Sequence, residues 1–274
     1  MSYRVIMDGA GEINRRLEGK VVSVPLTVSV NGKDYITDDK MDIDEFRAEV
    51  RASKEAPKSS CPSPDAFCEA IGECDRVYIV AITSVLSGSY NSARLGLQAY
   101  LDENPDKKGV VFDSFNASGG EALVAEKIIE LEEKGLEFDE IVAAVNEYIP
   151  TITTNVVLED LSVLYKNGRL SKVAYVATSL IDLVAVLGIR NGELVKIAQA
   201  RGVKRALKTL AETSIADIKE KGIKKVTITH SAAPERAQAL KEALEKEIEA
   251  DIVIVPTGGL ISMYAGEKGL VISY

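Results

Sequence analysis

The 274-residue sequence has no tryptophan, one histidine and only three cysteines. Six and five residues separate Cys61, Cys68 and Cys74, whereas zinc ligands usually come in closer pairs. The histidine, His230, lies far from them in the sequence. We therefore predict no metal and no cofactor. Few cysteines and no export signal indicate free thiols in a reducing compartment, so we expect a cytoplasmic protein.

Long apolar runs and an excess of positive charge are also missing. The longest nearly uncharged stretch, Val173 to Ile189, contains Asp182 and is too short and too polar to span a membrane as a helix. The net charge is −9, and an acidic surface repels the phosphates of nucleic acids. We predict no transmembrane segment and no nucleic-acid partner, and we assign charged runs such as Glu126 to Glu137 to a solvated helix face.

The sequence does contain an alternation of strand-like and helix-like segments. Tyr3 to Asp8 is strand-like, Arg76 to Ile82 is a nearly continuous apolar run typical of a buried parallel strand, and Gly119 to Lys134 has a helical pattern. This alternation predicts an α/β fold. The spacing of the elements changes near Thr151 to Leu158, so we predict two domains, residues 1–155 and 156–274.

Hydroxyl side chains cluster where one predicted strand gives way to a helix. The stretch ITSVLSGSYNSA, residues 82–93, contains Ser84, Ser87 and Ser89, with Gly88 between the last two. A helix N-terminus at the end of a parallel strand presents free backbone N–H groups, which favour an anion. One serine would suffice for ordinary helix capping. Because three are present, we predict an anion-binding site here.

A second hydroxyl cluster lies at Lys58 to Ser63, in a stretch that we assign to a loop, residues 57–64. Taken alone, each cluster is typical of a loop with a helix cap. Together, the two predict convergence on one acidic head group. Arg169 and Arg201 lie beside glycines in the second half of the sequence. They pair with acidic neighbours at the surface or, if the two domains face each other, approach these serines.

Other chemistries have weaker support in the sequence. Gly9-Ala10-Gly11 lacks a third small residue at Asn14, so we interpret it as a turn and not as a dinucleotide-binding loop. His230 precedes a serine but no nucleophile elbow accompanies it, and Cys61 would act as a nucleophile only beside a base. An enzyme that uses the same loops, a small-molecule phosphotransferase or hydrolase, remains the alternative. A nucleotide-binding regulatory module is a third class.

In order along the chain, these pieces resemble the DegV family of bacterial fatty-acid-binding proteins. The matching segments are Pro25-Leu26, Lys58-Ser59-Ser60, Pro62-Ser63-Pro64, Leu86-Ser87-Gly88-Ser89-Tyr90, Ser92-Ala93, Phe112-Asp113-Ser114, Asp160-Leu161 with Leu164, Gly168-Arg169-Leu170-Ser171, and Arg201 with Lys204-Arg205-Ala206. They cover nearly the whole sequence.

The resemblance implies two α/β domains with a long-chain fatty acid bound between them. Its carboxylate would meet Ser59, Ser60, Ser87 and Gly88, and its acyl chain would enter an apolar tunnel in the second domain. Leu180 to Ile189 is a candidate wall of that tunnel. The resemblance also implies a carrier without catalysis of its own, which presents the carboxylate to a separate fatty acid kinase for phospholipid synthesis.

This sequence departs from the family pattern near the head group. Cys61 replaces a glutamine, and Tyr264 begins a segment that stands in place of the family's His-x-Gly-x-Gly. A tyrosine hydroxyl is able to replace histidine as a donor, whereas Glu267 would repel a carboxylate if it pointed inward. We therefore expect Tyr264 at the head group, with Arg169 and Arg201 lining the approach.

Overall fold

The structure, a computed structural model, describes residues 2–171 and 183–274. Its strands are β1 Tyr3–Asp8, β2 Val21–Val24, β3 Thr27–Val30, β4 Lys33–Ile36, β5 Lys58–Ser60, β6 Arg76–Ala81, β7 Lys108–Asp113, β8 Thr154–Val157, β9 Leu183–Arg190, β10 Glu193–Arg201, β11 Lys225–His230, β12 Asp251–Pro256 and β13 Leu270–Ser273. The helices in these ranges are α1 Ile43–Ala52, α2 Pro64–Ile71, α3 Ser89–Glu103, α4 Gly119–Glu133, α5 Phe138–Tyr148, α6 Ser162–Lys166, α7 Val203–Lys221, α8 Pro234–Glu245 and α9 Gly259–Ala265. This architecture confirms the predicted α/β class.

The first large sheet consists of four parallel strands in the order β2-β1-β6-β7. Every residue of β6 is buried, as its apolar sequence predicts. Helices α2 and α3 cover one face and α4 and α5 the other. In β1, Ile6 packs toward α2 and α3, while Val5 and Met7 pack toward α4 and α5, because successive strand residues point to opposite faces. The carboxyl ends of these strands share one edge.

A small antiparallel sheet, β4-β3-β5, lies beside the first. The predicted turn at Asn31-Gly32 joins β3 to β4, and both of its residues have positive φ, 51° and 76°. Our assignment of residues 57–64 to a loop was wrong at Lys58–Ser60, which form β5 and pair with β3. A strand of three polar residues has no apolar alternation to reveal it. Ser63 caps α2 as predicted.

The second large sheet has six strands in the order β10-β9-β8-β13-β11-β12. Only β11 and β12 pair in parallel, and the other neighbours are antiparallel. Helices α7 and α8 pack on one face, while α4 contacts β11 and β13 and so lies between the two large sheets. The strands of this sheet all come from the part of the chain that begins at Thr154. The division into domains 1–155 and 156–274 stays a prediction.

The charge on α4 corrects one expectation. We assigned Glu126 to a solvated face, but it is only 5% exposed. Its carboxylate accepts hydrogen bonds from Arg16 Nε and from Asn14 Nδ2, both at 2.9 Å. Because α4 lies between two sheets, this glutamate needs buried partners instead of water.

The apolar stretch near residue 180 is described only in part. Residues 172–182 lie outside the described residues, and so does the 180–182 portion of the predicted tunnel wall. The remainder of that wall forms most of β9, where Ile189 is 7% exposed. Within residues 2–171 and 183–274, no helix has the length and apolar character needed to cross a membrane.

Candidate functional site

A cavity of about 300 Å³ lies between the carboxyl edge of the first large sheet and the inner face of the second. This volume is typical of small-ligand sites. Its apolar lining consists of Leu26, Ile82, Leu86, Ala117, Val156, Leu158, Leu164, Ile189, Leu194, Leu260, Ile261, Ala265 and Val271. The other lining residues are Ser59, Ser60, Cys61, Ser87, Gly88, Ser118, Thr154, Arg169 and Tyr264. The wall is therefore mainly aliphatic, with hydroxyls and one cation.

The cavity brings together most of the residues that the sequence singled out. Its lining includes Ser59, Ser60, Ser87, Gly88, Arg169 and Tyr264. Arg201 is not part of the described lining and is exposed at the end of β10, opposite Leu183 of β9. The β9–β10 hairpin reaches the cavity near its turn, through Leu194. At about 3.3 Å per residue, Arg201 lies roughly 20 Å from Leu194 along β10, on the side toward which β8 runs from Thr154 to Leu158.

Two of the serines belong to β5, so their side chains point to opposite sides of the strand. The Ser59 Oγ lies 3.3 Å from the Tyr264 hydroxyl, and either oxygen is able to donate. Ser59 is half-buried, whereas Ser60 is exposed. The two neighbouring serines therefore have different surroundings although both line the cavity.

The N-terminus of α3 supplies the second group of donors. Gly88 is the N-cap residue and makes no side-chain capping bond. The Ser87 Oγ accepts a hydrogen bond from the Ser89 N–H at 3.2 Å, so its own proton is available to a ligand. Ser89 itself is buried and donates its hydroxyl to Asp8, and Ser84 is exposed and absent from the described lining. Of the three predicted serines, only Ser87 lines the cavity.

Arg169 is the cation of the described lining. Its Nε donates to the Leu86 carbonyl oxygen at 3.1 Å, and its Nη1 donates to the Asn167 carbonyl at 2.5 Å. These bonds tie the guanidinium to the loop that immediately precedes Ser87. A positive charge and the N-terminus of α3 therefore meet at one end of an apolar cavity, where they favour a bound anion.

Comparison with known proteins identifies the fold and the family. A family model described as "Uncharacterised protein, DegV family" matches residues 2–274. The chain belongs to the DegV family. It is 34% identical over 280 residues to a DegV domain-containing protein of Streptococcus pneumoniae, covering 100% of this chain and 99% of that protein.

Solved DegV-family structures match over the whole chain as well. A protein from Ruminococcus gnavus, refined with vaccenic acid, has 33% identity and a TM-score of 0.92, with 100% of both chains covered. The Fatty Acid Kinase (Fak) B3 protein of Streptococcus pneumoniae, loaded with linoleic acid, has 34% identity and a TM-score of 0.91, with 100% of this chain and 99% of that chain covered.

The segment that begins at Tyr264, where this chain departs from the DegV-family pattern, starts on helix α9. Tyr264 lies on this helix and its hydroxyl meets Ser59, so a phenol stands at the serine loops. Glu267 lies beyond the helix, is exposed and forms an ion pair with Arg51. It is not among the described cavity residues, so it does not oppose an anion there.

Three buried carboxyl groups beneath the site were not anticipated from the sequence. Asp8, Glu12 and Glu121 are at most 6% exposed. Burial raises the pKa of Glu12 to about 8. Burial and the nearby Asp8 carboxyl raise the pKa of Glu121 well above its usual range. Among these three, only the position of Asp8 at the end of a predicted buried strand gave a signal in the sequence.

The hydrolase interpretation finds no catalytic pair at the cavity. His230 is not among the described lining residues, and its Nδ1 accepts a hydrogen bond from the Ala233 N–H at 3.2 Å. Cys61 does line the cavity, but the described lining contains no histidine to act as its base. The described DegV-family site is therefore equipped to bind an anion and an apolar chain.

Proposed function

We propose that this protein binds a long-chain fatty acid and does not transform it. The observation that carries the proposal is an aliphatic cavity that ends at hydroxyls, a cation and a helix N-terminus. A fatty acid has the same division into an apolar chain and an anionic end. The two solved relatives described above carry vaccenic and linoleic acid, which supports the same ligand class here.

The carboxylate is proposed to lie against Ser60, Ser87 and the Gly88 backbone, with Ser59 and Tyr264 as a linked pair of donors beside them. Arg169 supplies the compensating charge, whereas Arg201 is not among the described lining residues. Hydrogen bonds to a charged group contribute about 1.5–3 kcal/mol each. They offset the cost of removing the carboxylate from water.

The acyl chain is proposed to supply most of the affinity. Each buried methylene contributes roughly 0.8 kcal/mol, and the cavity wall is aliphatic along β8 and α9. We further propose that residues 1–155 carry the head-group loops and residues 156–274 most of the acyl pocket, as two domains that enclose the ligand between their sheets.

A carrier role follows from this arrangement. The Gly88 and Ser60 end of the cavity is exposed, so a bound carboxylate would be accessible to a separate kinase that converts it to an acyl phosphate. The similarity to the Fatty Acid Kinase B3 protein supports such a partner. Cys61, Cys68 and Cys74 are free thiols, which supports our proposal of a cytoplasmic carrier.

The test measures ligand content and affinity. We expect an organic extract of the purified protein to contain a fatty acid near one equivalent. In the delipidated protein, Ser60→Ala and Ser87→Ala should each weaken binding roughly 10-fold or more, because each removes a bond to a charged group. Ser84→Ala is the matched control, since Ser84 is exposed and outside the described lining.

Two results would count against the proposal. If the extract were empty and added fatty acid did not bind, the ligand class would be wrong. If fatty acid bound but Ser60→Ala and Ser87→Ala behaved like Ser84→Ala, the ligand class would stand and the head-group assignment would fall. Turnover of an acyl ester or a nucleotide by the unaltered protein would instead support the enzyme alternative.

A further inference from the structure

The cavity has a polar end that the proposed head-group site does not explain. Thr154, Val156 and Leu158 all line the cavity, as residues two apart on one strand face do. Leu158 lies beside Gly269 and Ala265, next to Tyr264 in the sequence. Thr154 is four residues away along the strand, roughly 13 Å at about 3.3 Å per residue. The cavity therefore extends along β8 from the Tyr264 end to Thr154.

A second hydroxyl residue lies near Thr154. Ser118 lines the same cavity and is followed by Gly119, whose close neighbours include the Ser273 hydroxyl. Ser273 is the partner of Thr154 in the β8–β13 pairing. Ser118 and Thr154 are 2% and 1% exposed. Thr154 thus lies at the end of the cavity away from Tyr264, and the partner of Ser118, Thr229, is level with Val271 and Val156, one step along the same strand face toward Tyr264.

Each of these hydroxyls has one partner in the described part of the chain. The Ser118 Oγ lies 2.8 Å from the Thr229 Oγ1, and the Thr154 Oγ1 lies 2.9 Å from the Ser273 Oγ. A pair of hydroxyls holds two protons, and only one of them lies in the bond between the two oxygens. No other hydrogen bond to these four hydroxyls occurs among residues 2–171 and 183–274, so each pair keeps one proton without an acceptor.

A saturated hydrocarbon chain in the cavity accepts no hydrogen bond from these spare hydroxyl protons. A buried donor without an acceptor is costly, and a plain acyl chain supplies no oxygen. A ligand oxygen at this end accepts from the spare hydroxyl protons. A site that hydrogen-bonds a ligand hydroxyl discriminates against the analogue that lacks it.

We propose that the cavity is selective for fatty acids that carry an oxygen, as a hydroxyl group, in the middle of the acyl chain, with Ser118 and Thr154 as the residues that recognise it. This inference rests on the proposed function. A carbon chain advances roughly 1.3 Å per bond of about 1.5 Å, so 13 Å corresponds to about ten carbons. The recognised oxygen is therefore mid-chain and not at the second or third carbon.

The experiment compares 18-carbon acids on the full, delipidated chain by displacement of a fluorescent fatty acid. The ligands are stearic acid, 3-hydroxystearic acid, 10-hydroxystearic acid and 12-hydroxystearic acid. We expect one of the mid-chain hydroxy acids to bind about 5-fold or more tightly than stearic acid, as one added hydrogen bond implies. We expect no such gain for 3-hydroxystearic acid.

Substitutions then assign the effect to residues. Thr154→Val keeps the side-chain shape and removes the hydroxyl, so it should abolish the preference for a mid-chain hydroxy acid over stearic acid. Ser118→Ala is the second test of the same preference. Thr151→Val is the matched control, because the Thr151 hydroxyl is exposed and donates to the Tyr148 carbonyl. It should keep the full preference.

The outcomes separate this inference from the proposed function. Equal affinity for stearic and all hydroxy acids would overturn the hydroxyl site while leaving fatty-acid binding intact, and would mean that water satisfies the spare protons. A preference that survives both Thr154→Val and Ser118→Ala would overturn the assignment to these residues. Failure of every acid to bind would overturn the proposed function and this inference with it.

Discussion

Glu12 lies in the loop between β1 and β2 and contacts the start of α9, the helix that carries Tyr264. Its protonation should govern the free energy of unfolding at alkaline pH. Both of its carboxylate oxygens lie 3.0 Å from the Gly258 nitrogen, just before α9. Burial raises the pKa of Glu12 from 4.5 to about 8. The folded protein therefore binds this proton more tightly than the unfolded chain does. The gap corresponds to about 5 kcal/mol at 1.36 kcal/mol per pH unit.

The sign of the effect follows from the raised pKa. Stabilisation by the bound proton is complete below about pH 4.5 and is lost as the pH rises through about 8. Between about pH 6 and pH 9 this group should cost the protein about 3 kcal/mol of unfolding free energy. Glu12→Gln keeps an uncharged acceptor for the Gly258 N–H and should remove that loss. Asp8 and Glu121 also have raised pKa values from burial, so part of the alkaline slope should remain.

Urea unfolding at several pH values measures this effect directly. The unaltered protein should lose stability steadily above about pH 6, and Glu12→Gln should flatten the curve and be the more stable protein at about pH 9. Glu18→Gln, an exposed glutamate in the same loop, is the control and should not change the slope. If Glu12→Gln and Glu18→Gln gave the same alkaline slope as the unaltered protein, the buried neutral carboxyl would be refuted.

Two further predictions concern the cavity and a helix cap. Val156→Phe places a ring in the existing cavity. It should weaken fatty-acid binding about 50-fold if the ring displaces three methylenes of the ligand, and it should leave the Tm of the ligand-free protein unchanged. A lower Tm with unchanged affinity would contradict this placement. Ser63→Ala removes the acceptor for the Ala66 N–H at 3.2 Å and should cost about 1 kcal/mol in urea unfolding, whereas no measurable loss would show that the cap contributes little.

Apolar patterning predicted the frame of the molecule well. The run Arg76 to Ile82 predicted a buried strand, and β6 is buried throughout; Asn31-Gly32 predicted the turn between β3 and β4. These features depend on local sequence, which is why a sequence reveals them. β5 was missed because its pairing with β3 is a contact between distant residues, and its three residues are polar.

The sequence predicted the site residues that form local clusters of hydroxyl side chains. It did not predict residues whose role depends on how deeply they are buried. Ser87 and Ser60 stood out as clustered hydroxyls, and both line the cavity. The fully buried Glu121 looks like any surface glutamate in sequence, since burial is set by packing between sheets. The role of Arg201 stays a prediction, because it is outside the described lining and the sequence does not show how the β9–β10 hairpin is oriented toward the cavity.

The cavity is also a gap in the largest described apolar cluster, since Val156, Leu158 and Leu260 belong to both. With the acyl chain bound as proposed, the ligand fills this gap in the apolar cluster. The free energy of binding then adds to the free energy of unfolding. An empty carrier then unfolds more often than a loaded one and is more often exposed to proteases. The lifetime of this protein in the cell would thus rise and fall with the supply of fatty acid, without any dedicated sensor.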